Sequence, residues 1–189
     1  MSSPIPQPIL DELTDVPLPR EMTPPEISEH FKLDGLSIPV YRAPAVVLGS
    51  GAAGLRAAVE LKRRGVEVII VTRKLFWGTS AFSGSDKQTL HTACTKHRGD
   101  DFTRMAQALG SGGAMDADVA YVEATGSIGA VAGLQYLGLP LPQDRYGAVL
   151  RYQTDHDEFG RATSCGPRTS RLMVKVLAEE AIRLGIPLL

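Results

Sequence analysis

The spacing of apolar and polar residues changes at Pro44 and from there predicts a strand–turn–helix–strand unit. The apolar segment "PAVVLGS" predicts a short strand that is buried on both faces. In "AAGLRAAVELKRRG" the apolar residues recur at helical spacing, and a basic last turn precedes Gly65, as at the end of a helix. "VEVIIVT" predicts a second strand. Because one helix joins two strands within about 30 residues, we expect a right-handed crossover between parallel strands.

Two later segments have the periodicity of helices. "DADVAYVEATGSIGAVAGLQYLG" offers Asp116 as an N-cap and Gly138 as a terminator. "TSRLMVKVLAEEAIRLG" offers Thr169 or Ser170 as a cap and ends at Gly185. The residues of this second helix that we expect to face inward are Leu172, Val176, Leu177 and Ile182. The final "IPLL" predicts the beginning of another strand.

The residues before Pro44 have a different composition, with nine of the 13 prolines at or before that position. Proline removes backbone donors and restricts its neighbours, so we predict that residues 1–35 form an extended arm. Such an arm is either poorly ordered or docked on a surface, where it could wrap a partner or subunit. We therefore divide the chain into a Pro-rich N-terminal arm, residues 1–43, and a domain, residues 44–189.

The overall composition is that of an ordinary globular protein, with 189 residues, 43% hydrophobic residues and a net charge of -1. A net charge near zero argues against nucleic acid or an anionic membrane surface as the main partner. The chain has no apolar run of the roughly 20 residues that span a bilayer, and its start does not resemble a secretory signal. Cys94 and Cys165 do not form a disulfide framework. We expect a soluble, cytoplasmic protein.

The stretch "VVLGSGAAGL" contains the glycine spacing of a dinucleotide-binding turn. Gly49 permits the tight turn, Gly51 lets the backbone approach a pyrophosphate, and Gly54 lets helix and strand pack closely. The amino end of the helix then supplies N–H groups and a partial positive charge to the phosphates. The predicted phosphate-binding residues are Gly49, Ser50, Gly51, Ala52, Ala53 and Gly54.

The residues after the second strand leave two cofactors open. An acidic side chain usually accepts hydrogen bonds from the ribose at this place, but the sequence has Thr72, Arg73 and Lys74. Arg73 and Lys74 could bind the 2′-phosphate of NADP. Alternatively, Thr72 binds the ribose of FAD. The next segment, "RKLFWGTSAFSGSDKQT", can run past a cofactor and offer backbone and hydroxyl donors.

The order of these segments resembles the flavoprotein family of succinate dehydrogenase, fumarate reductase and L-aspartate oxidase. The resemblance begins with the glycine turn and "GTSAFSGS" and continues through "DDFTRMAQALGSGGAMDADVAYVEATGSIGAVAGLQYLGLPL" to "FGRATSCGPRTSRLMVKVLAEEAIRLGI". It covers residues 44–189. It implies an α/β, Rossmann-like FAD-binding domain with a parallel sheet and inserted helices.

The resemblance also implies positions along the cofactor. The glycine turn would bind the FAD pyrophosphate, and Thr72 and Arg73 would lie near the adenosine ribose. The residues that would run along the flavin are Thr79, Ser80, Ala81, Ser83 and Gly84. Membrane-bound members attach FAD through a histidine where this sequence has Ser80, so the implied cofactor is non-covalent FAD.

By the same resemblance, the chain is part of a flavin-dependent oxidoreductase that acts on a dicarboxylate-like substrate, with an iron–sulfur electron-transfer subunit as a possible partner. Ser85-Asp86 replaces a Gly-Gly pair of the family, and Leu141 replaces a phenylalanine that lines the dicarboxylate site. The family's capping domain and final glycine-rich segment are not present in the sequence. We therefore expect a fragment, a truncated product or a split subunit that is inactive alone, and we assign no catalytic residue. The other interpretations are an NADP-dependent dehydrogenase domain and a non-catalytic flavin-binding subunit.

Two polar segments are weaker candidates. "HTACTKH" would place His91, Cys94 and His97 on one face of a helix, but a structural zinc site needs a fourth ligand, so we predict no metal site. Asp155 and His156 belong to a charged run that we expect to be solvated.

The segment before the last helix contains three further candidates. Cys165 could touch a loop beside the flavin, although a buried small apolar role is the simpler interpretation. Arg168 and Arg171 near a helix start are unfavourable for the helix dipole and could bind an anion.

Overall fold

The computed structural model describes residues 15–83, 88–94, 98–154 and 157–189. The contacts divide the chain into two compact units. The first unit contains the chain up to residue 84 together with residues 170–189, and the second contains residues 85–169.

The first unit contains the predicted strand–helix–strand arrangement. Strand β3 (Ala45–Leu48) pairs in parallel with β4 (Val68–Val71), and helix α1 (Ala52–Arg63) connects them. Apolar residues of α1 are buried, and the helix stops before Gly65, whose φ of +77° suits glycine. The parallel sheet that the sequence predicts is therefore confirmed.

The end of the chain adds to this sheet. Ile70 donates to the carbonyl of Pro187 at 2.9 Å, and Leu189 donates to the carbonyl of Ile70 at 2.8 Å. Leu188 forms a parallel bridge with Ile70. The residues of "IPLL", expected to begin a strand, thus pair in parallel with β4, but through one isolated bridge and not as a full strand.

Two burial predictions are wrong. Strand β3 exposes 56% of Val46 and 81% of Leu48. The side chain of Val47 points toward α1, and no described element covers the opposite face. Ile182, in the last helix, is 40% exposed. At 100° per residue it lies beside Lys175 and Glu179, outside the buried stripe of that helix.

A β-hairpin, which is not among the elements predicted from the sequence, precedes β3. Strands β1 (Glu29–Leu33) and β2 (Leu36–Val40) pair antiparallel, and Asp34 and Gly35 form the two-residue connection with φ of +48° and +81°. Positive φ at both positions is what a type I′ hairpin turn requires.

The residues before this hairpin make contacts with the rest of the first unit. Val16 is 5% exposed, and the carbonyl of Thr23 accepts a hydrogen bond from Leu188 at 2.9 Å. The arm is therefore docked at Val16 and at Thr23, and residues 1–14 lie outside the described residues.

Two helices form most of the regular secondary structure in the described part of the second unit. It contains α3 (Phe102–Gly110) and α4 (Ala117–Tyr136), with a short antiparallel pair formed by β5 (Leu90–His91) and β6 (Ala162–Thr163). Asp116 caps α4 by accepting from two backbone N–H groups of the first turn, as predicted, and Gly138 follows the helix with φ of +96°. Asp101 caps α3 by accepting a hydrogen bond from the backbone N–H of Arg104 at 2.8 Å.

A buried ion pair is formed by Arg161, the residue directly before β6. Arg161 donates from Nε and from one terminal nitrogen to Asp100, at 2.9 and 2.8 Å. The side chains of Arg161 and Asp100 are 5% and 0% exposed. The guanidinium can be buried in this way because a carboxylate that accepts two of its hydrogen bonds compensates its charge.

The last helix, α5 (Thr169–Arg183), begins in the second unit and continues into the first. Thr169 was a predicted cap, but its hydroxyl donates to the carbonyl of Gly166 at 2.6 Å and accepts from the amide of Cys165. The hydroxyl therefore stabilises the turn before the helix.

Candidate cofactor site

The turn between β3 and α1 lies entirely within the first unit. The amide of Gly49 donates to the carbonyl of Val71 at 2.8 Å, so strand pairing continues to the first glycine of the turn. Gly49 has φ of +99°, and Gly51 is the N-cap of α1 in an extended conformation. Residue Gly51 has no side chain with which to cap the helix, and the first turn of α1 contains no acidic residue. The amino end of α1 can therefore receive an anion from outside the helix.

The second and third glycines differ in their surroundings. A Cβ on Gly54 would lie 2.1 Å from the carbonyl oxygen of Gly49 and 3.3 Å from the side chain of Val47. Helix and strand approach each other so closely at this point that only a hydrogen fits. Among the described residues, a Cβ on Gly51 would meet only the hydroxyl of Ser80, at 3.6 Å. These residues leave space beside Gly51, which fits the close approach of a diphosphate.

Ser50 connects this turn to the segment after β4. Its side chain is buried, and its Oγ accepts a hydrogen bond from the amide of Phe76 at 2.7 Å. The same oxygen lies 3.2 Å from the Thr72 hydroxyl and 3.3 Å from the carbonyl of Lys74. The predicted phosphate contact at Ser50 can therefore come from its backbone, because its side chain holds the loop.

Thr72, the residue expected at the ribose, lies at the end of β4. Its hydroxyl donates to the carbonyl of Lys74 at 3.1 Å. A hydroxyl has one proton and two lone pairs, so Thr72 keeps acceptor capacity for a ribose hydroxyl.

Arg73 and Lys74 follow on the surface, and both are exposed. The ammonium of Lys74 lies over the ring of Trp77, 3.7 Å from its centroid, in a cation–π contact. Trp77 in turn packs edge-to-face against Phe82, with 5.7 Å between the ring centroids. This exposed aromatic pair was not a predicted site feature, although "LFW" and Phe82 are its sequence signal.

The segment expected along the flavin forms a short helix, α2 (Thr79–Phe82). The Oγ of Ser80 lies 3.4 Å from the amide nitrogen of Ala52 in the first turn of α1. Ala81 is fully buried, whereas Thr79 and Ala53 are exposed. The fold thus brings α2 against the glycine turn. Ser83 follows α2, and Gly84 and Ser85-Asp86 lie outside the described residues.

Arg171, a candidate anion ligand, instead binds main-chain carbonyls in the first unit. Its Nε donates to Val16 at 2.8 Å, and a terminal nitrogen donates to Ala81 at 3.1 Å. Burial lowers the pKa of this guanidinium below its ordinary value.

The candidates of the second unit do not form a site together. His91 belongs to β5, and Cys94 has φ of +57°, so the expectation that they share a helical face is wrong. The ring of His91 lies 3.3 Å from the Thr154 hydroxyl, and burial lowers its pKa. His97, Asp155 and His156 lie outside the described residues. Within the described ranges, no group of three or more His, Cys, Asp or Glu side chains is arranged to hold a metal.

Two other residues of this unit have ordinary structural surroundings. Cys165 is half-buried, with its sulfur 3.4 Å from the carbonyl of Pro140, and burial raises the pKa of its thiol. Leu141, at the position where the resembled family has a phenylalanine, is 5% exposed.

The amino-acid sequence matches a family model described as "FAD binding domain" over residues 45–189. The chain belongs to this family. The match therefore decides for FAD between the two cofactors that the sequence left open. Among curated proteins no sequence matches the chain.

Solved structures show the same fold. Mycobacterium smegmatis Sdh1 in complex with UQ1 has a TM-score of 0.63 at 22% identity, over 75% of this chain and 24% of that chain. An FrdA variant of E. coli quinol fumarate reductase has a TM-score of 0.61 at 18% identity, over 78% and 26%. The open conformation of a flavocytochrome c3 fumarate reductase has a TM-score of 0.66 at 18% identity, over 98% and 29%.

The FAD-binding domain described here therefore corresponds to about a quarter of the length of these proteins. Among the helices in the described part of the chain, none combines the length and hydrophobicity that a membrane crossing requires.

Proposed function

We propose that this chain is the FAD-binding portion of a flavin-dependent oxidoreductase of the fumarate reductase and succinate dehydrogenase type. In this proposal residues 44–189 bind the cofactor, residues 1–43 form an arm, and the remainder of a larger protein completes the enzyme. The observation that carries it is the amino end of α1, which has no capping side chain and lies beside an open glycine and the Ser80 hydroxyl.

The diphosphate of FAD would bind at this helix end. Backbone N–H groups from Gly49 to Gly54 would donate to the phosphate oxygens, and the helix dipole would favour their negative charge. The open side of Gly51 leaves room for the phosphates to approach the backbone. Thr72 and Arg73 would lie at the adenosine ribose.

The flavin would lie along the segment that contains α2, with contacts from Thr79, Ser80, Ala81, Ser83 and Gly84. When bound, FAD supplies the hydride-transfer chemistry, and the protein contributes binding, orientation and electrostatics. Two contacts fix this segment beside the glycine turn, namely the Ser50 hydroxyl on the amide of Phe76 and Ser80 beside Ala52.

The cofactor would be held without a covalent bond. Residues 79–83 read Thr-Ser-Ala-Phe-Ser and contain no histidine, cysteine or tyrosine that could attach a flavin. The test is to denature the purified chain with bound FAD and to separate the polypeptide from small molecules. All flavin absorbance should leave with the small molecules, and flavin retained on the denatured polypeptide would contradict non-covalent binding.

The substrate would be a dicarboxylate, and an iron–sulfur subunit is a candidate electron-transfer partner. The test uses the full-length protein that contains this chain, with its FAD reduced under anaerobic conditions. Fumarate should reoxidise the flavin, whereas crotonate, which has the same double bond but only one carboxylate, should not. Equal rates with both acids, or no reaction with fumarate, would contradict a dicarboxylate substrate while leaving FAD binding intact.

A further inference from the structure

Arg171 occupies a position that is unfavourable for a cation. It lies in the first turn of α5, where the positive end of the helix dipole disfavours positive charge. Burial of part of the guanidinium adds to this penalty, because it removes water from a charged group. Other contacts must therefore compensate for this placement.

The compensating contacts join two segments that are far apart in sequence. The Nε of Arg171 donates to the carbonyl of Val16 in the arm, 155 positions away, at 2.8 Å. A terminal nitrogen donates to the carbonyl of Ala81 at the end of α2, 90 positions away, at 3.1 Å. The same guanidinium lies 5.8 Å from the centroid of the Phe82 ring. One side chain therefore holds the arm and the flavin-side segment together.

The arm and α2, which Arg171 joins, are each also held by other contacts. The side chain of Val16 is buried, and Ala81 is fully buried. The arm is also fixed at Thr23, whose carbonyl accepts a hydrogen bond from the amide of Leu188, the residue that bridges to Ile70 of β4. A guanidinium can bond two carbonyls at once through its planar fork of donors, which a lysine ammonium on a flexible stem does less well.

We infer that Arg171 is a positioning residue that couples docking of the N-terminal arm to FAD binding. The inference rests on the proposed placement of FAD along α2. When the arm is docked, the carbonyl of Val16 holds Arg171 in place. Arg171 in turn fixes the carbonyl of Ala81, at the end of α2, beside the cofactor. Coupling between two binding events is reciprocal, so FAD must stabilise the docked arm by the same factor as the arm strengthens FAD binding.

The arm can be followed with trypsin and removed at a natural residue. Arg20 lies between the two anchoring points of the arm, and trypsin cleaves a segment whose backbone has been released from such contacts, so cleavage after Arg20 reports undocking. A chain that begins at Met22 lacks Val16 but keeps Thr23. The variants are Arg171→Met, Arg171→Lys and the control Lys175→Met, which removes another cation of α5, one that lies 3.6 Å from Glu179 on the same helix.

The full-length chain should bind FAD about fivefold or more tightly than the chain that begins at Met22, as judged by flavin fluorescence titration. Saturating FAD should slow cleavage after Arg20 by the same factor. In Arg171→Met both effects should disappear, Arg171→Lys should retain part of them, and Lys175→Met should retain both. At saturating FAD the visible circular dichroism of the bound flavin should also change in Arg171→Met, which a purely stabilising role would not produce.

The outcomes separate this inference from the proposed function. If the full-length chain binds no FAD, the proposed function and the coupling are both wrong. If FAD binds but does not slow cleavage after Arg20, or if truncation weakens FAD binding equally in Arg171→Met, only the coupling is wrong. Should Arg171→Met fail to fold, truncation and FAD protection in the unsubstituted chain still decide the result.

Discussion

Replacement of Gly51 and Gly54 by alanine should separate cofactor binding from folding. At Gly54 the new Cβ would lie 2.1 Å from the backbone oxygen of Gly49, a distance that real Cβ contacts do not show. Helix α1 would have to move away from β3 by about an ångström or more, and overpacking of this kind costs about 1–3 kcal/mol or above. Alanine is about 1 kcal/mol more favourable than glycine inside a helix, so Gly54→Ala lowers the stability of the fold only because the clash costs more than this gain.

At Gly51 the same substitution produces no steric clash with the described residues. The new Cβ would be 3.6 Å from the Ser80 hydroxyl, which is ordinary contact, and the backbone of Gly51 is in a region that alanine adopts readily. Reduced freedom of the unfolded chain favours alanine by about 0.4–1 kcal/mol. The methyl group would, however, occupy the side on which the diphosphate approaches. Gly51→Ala should therefore fold normally and bind FAD about tenfold or more weakly, a change of about 1.4 kcal/mol.

The assay measures both quantities on both variants. For a protein of this size, 1 kcal/mol corresponds to a melting-temperature change of about 2–4 °C. A net loss of up to about 2 kcal/mol should therefore make Gly54→Ala without FAD melt up to about 8 °C below the unsubstituted chain. Gly51→Ala should melt within about 2 °C of it and show the weakened FAD titration. Unchanged FAD affinity in Gly51→Ala would refute the placement of the diphosphate beside this residue. An unchanged melting temperature in Gly54→Ala would refute the close packing of α1 on β3.

Three further predictions concern polar contacts around this core. Hydrogen bonds from Arg183 hold the pKa of Glu180 below its ordinary value, so its contribution to stability is present at neutral pH and is lost as pH falls through and below about 4.3. Glu180→Gln should therefore lower the melting temperature at pH 7 and flatten its decline in acid, and a parallel decline would contradict this cause. Asp100→Ala leaves the buried guanidinium of Arg161 without its main partner. The free energy of unfolding measured in urea should fall by about 3 kcal/mol, and a fall below about 1 kcal/mol would contradict the burial of the pair. Ser50→Ala removes the buried acceptor of the Phe76 amide and should lower the free energy of unfolding by about 1–3 kcal/mol. FAD should also bind more weakly in the same titration, and unchanged affinity would show that the loop keeps its position without this bond.

The β3–α1–β4 unit was predictable because its signals are local. Each strand is a short β-branched run, the helix has a periodic apolar stripe, and Gly49 and Gly65 mark the points where the chain turns with positive φ. The cap at Asp116 and the terminator at Gly138 are equally local. Signals of this kind need no knowledge of what the segment packs against.

The hairpin was missed although its signal is present. Asp34-Gly35 lies between apolar residues that alternate at Phe31, Leu33, Leu36 and Ile38, and this is a strong pattern for a two-residue hairpin turn. The density of prolines around it favoured an extended arm instead. Of these prolines Pro39 lies within β2, in a two-stranded pair where an edge position tolerates the missing donor.

Other features could not be predicted, because they depend on contacts between distant segments. The exposure of Val46 and Leu48 depends on which elements cover β3, and that information is not in the strand itself. The bond from Phe76 to Ser50 spans 26 positions, and the two bonds of Arg171 span 90 and 155 positions. No spacing rule identifies such partners, so Ser50 was predicted only as part of a phosphate-binding turn.

The long contact between the Ser80 hydroxyl and the amide of Ala52 explains why the amino end of α1 should bind an anion more strongly than it binds Ser80. The hydroxyl of Ser80 is neutral and lies 3.4 Å from the amide of Ala52, which is long for a hydrogen bond. A phosphate oxygen at the same helix end would form shorter, charge-assisted bonds worth about 1.5–3 kcal/mol each and would also interact with the helix dipole. Ser80 therefore keeps the N–H group partly satisfied without competing strongly for it. A diphosphate can displace the hydroxyl or accept its proton as an additional hydrogen bond, and in either case the charged ligand is the stronger partner of the helix end.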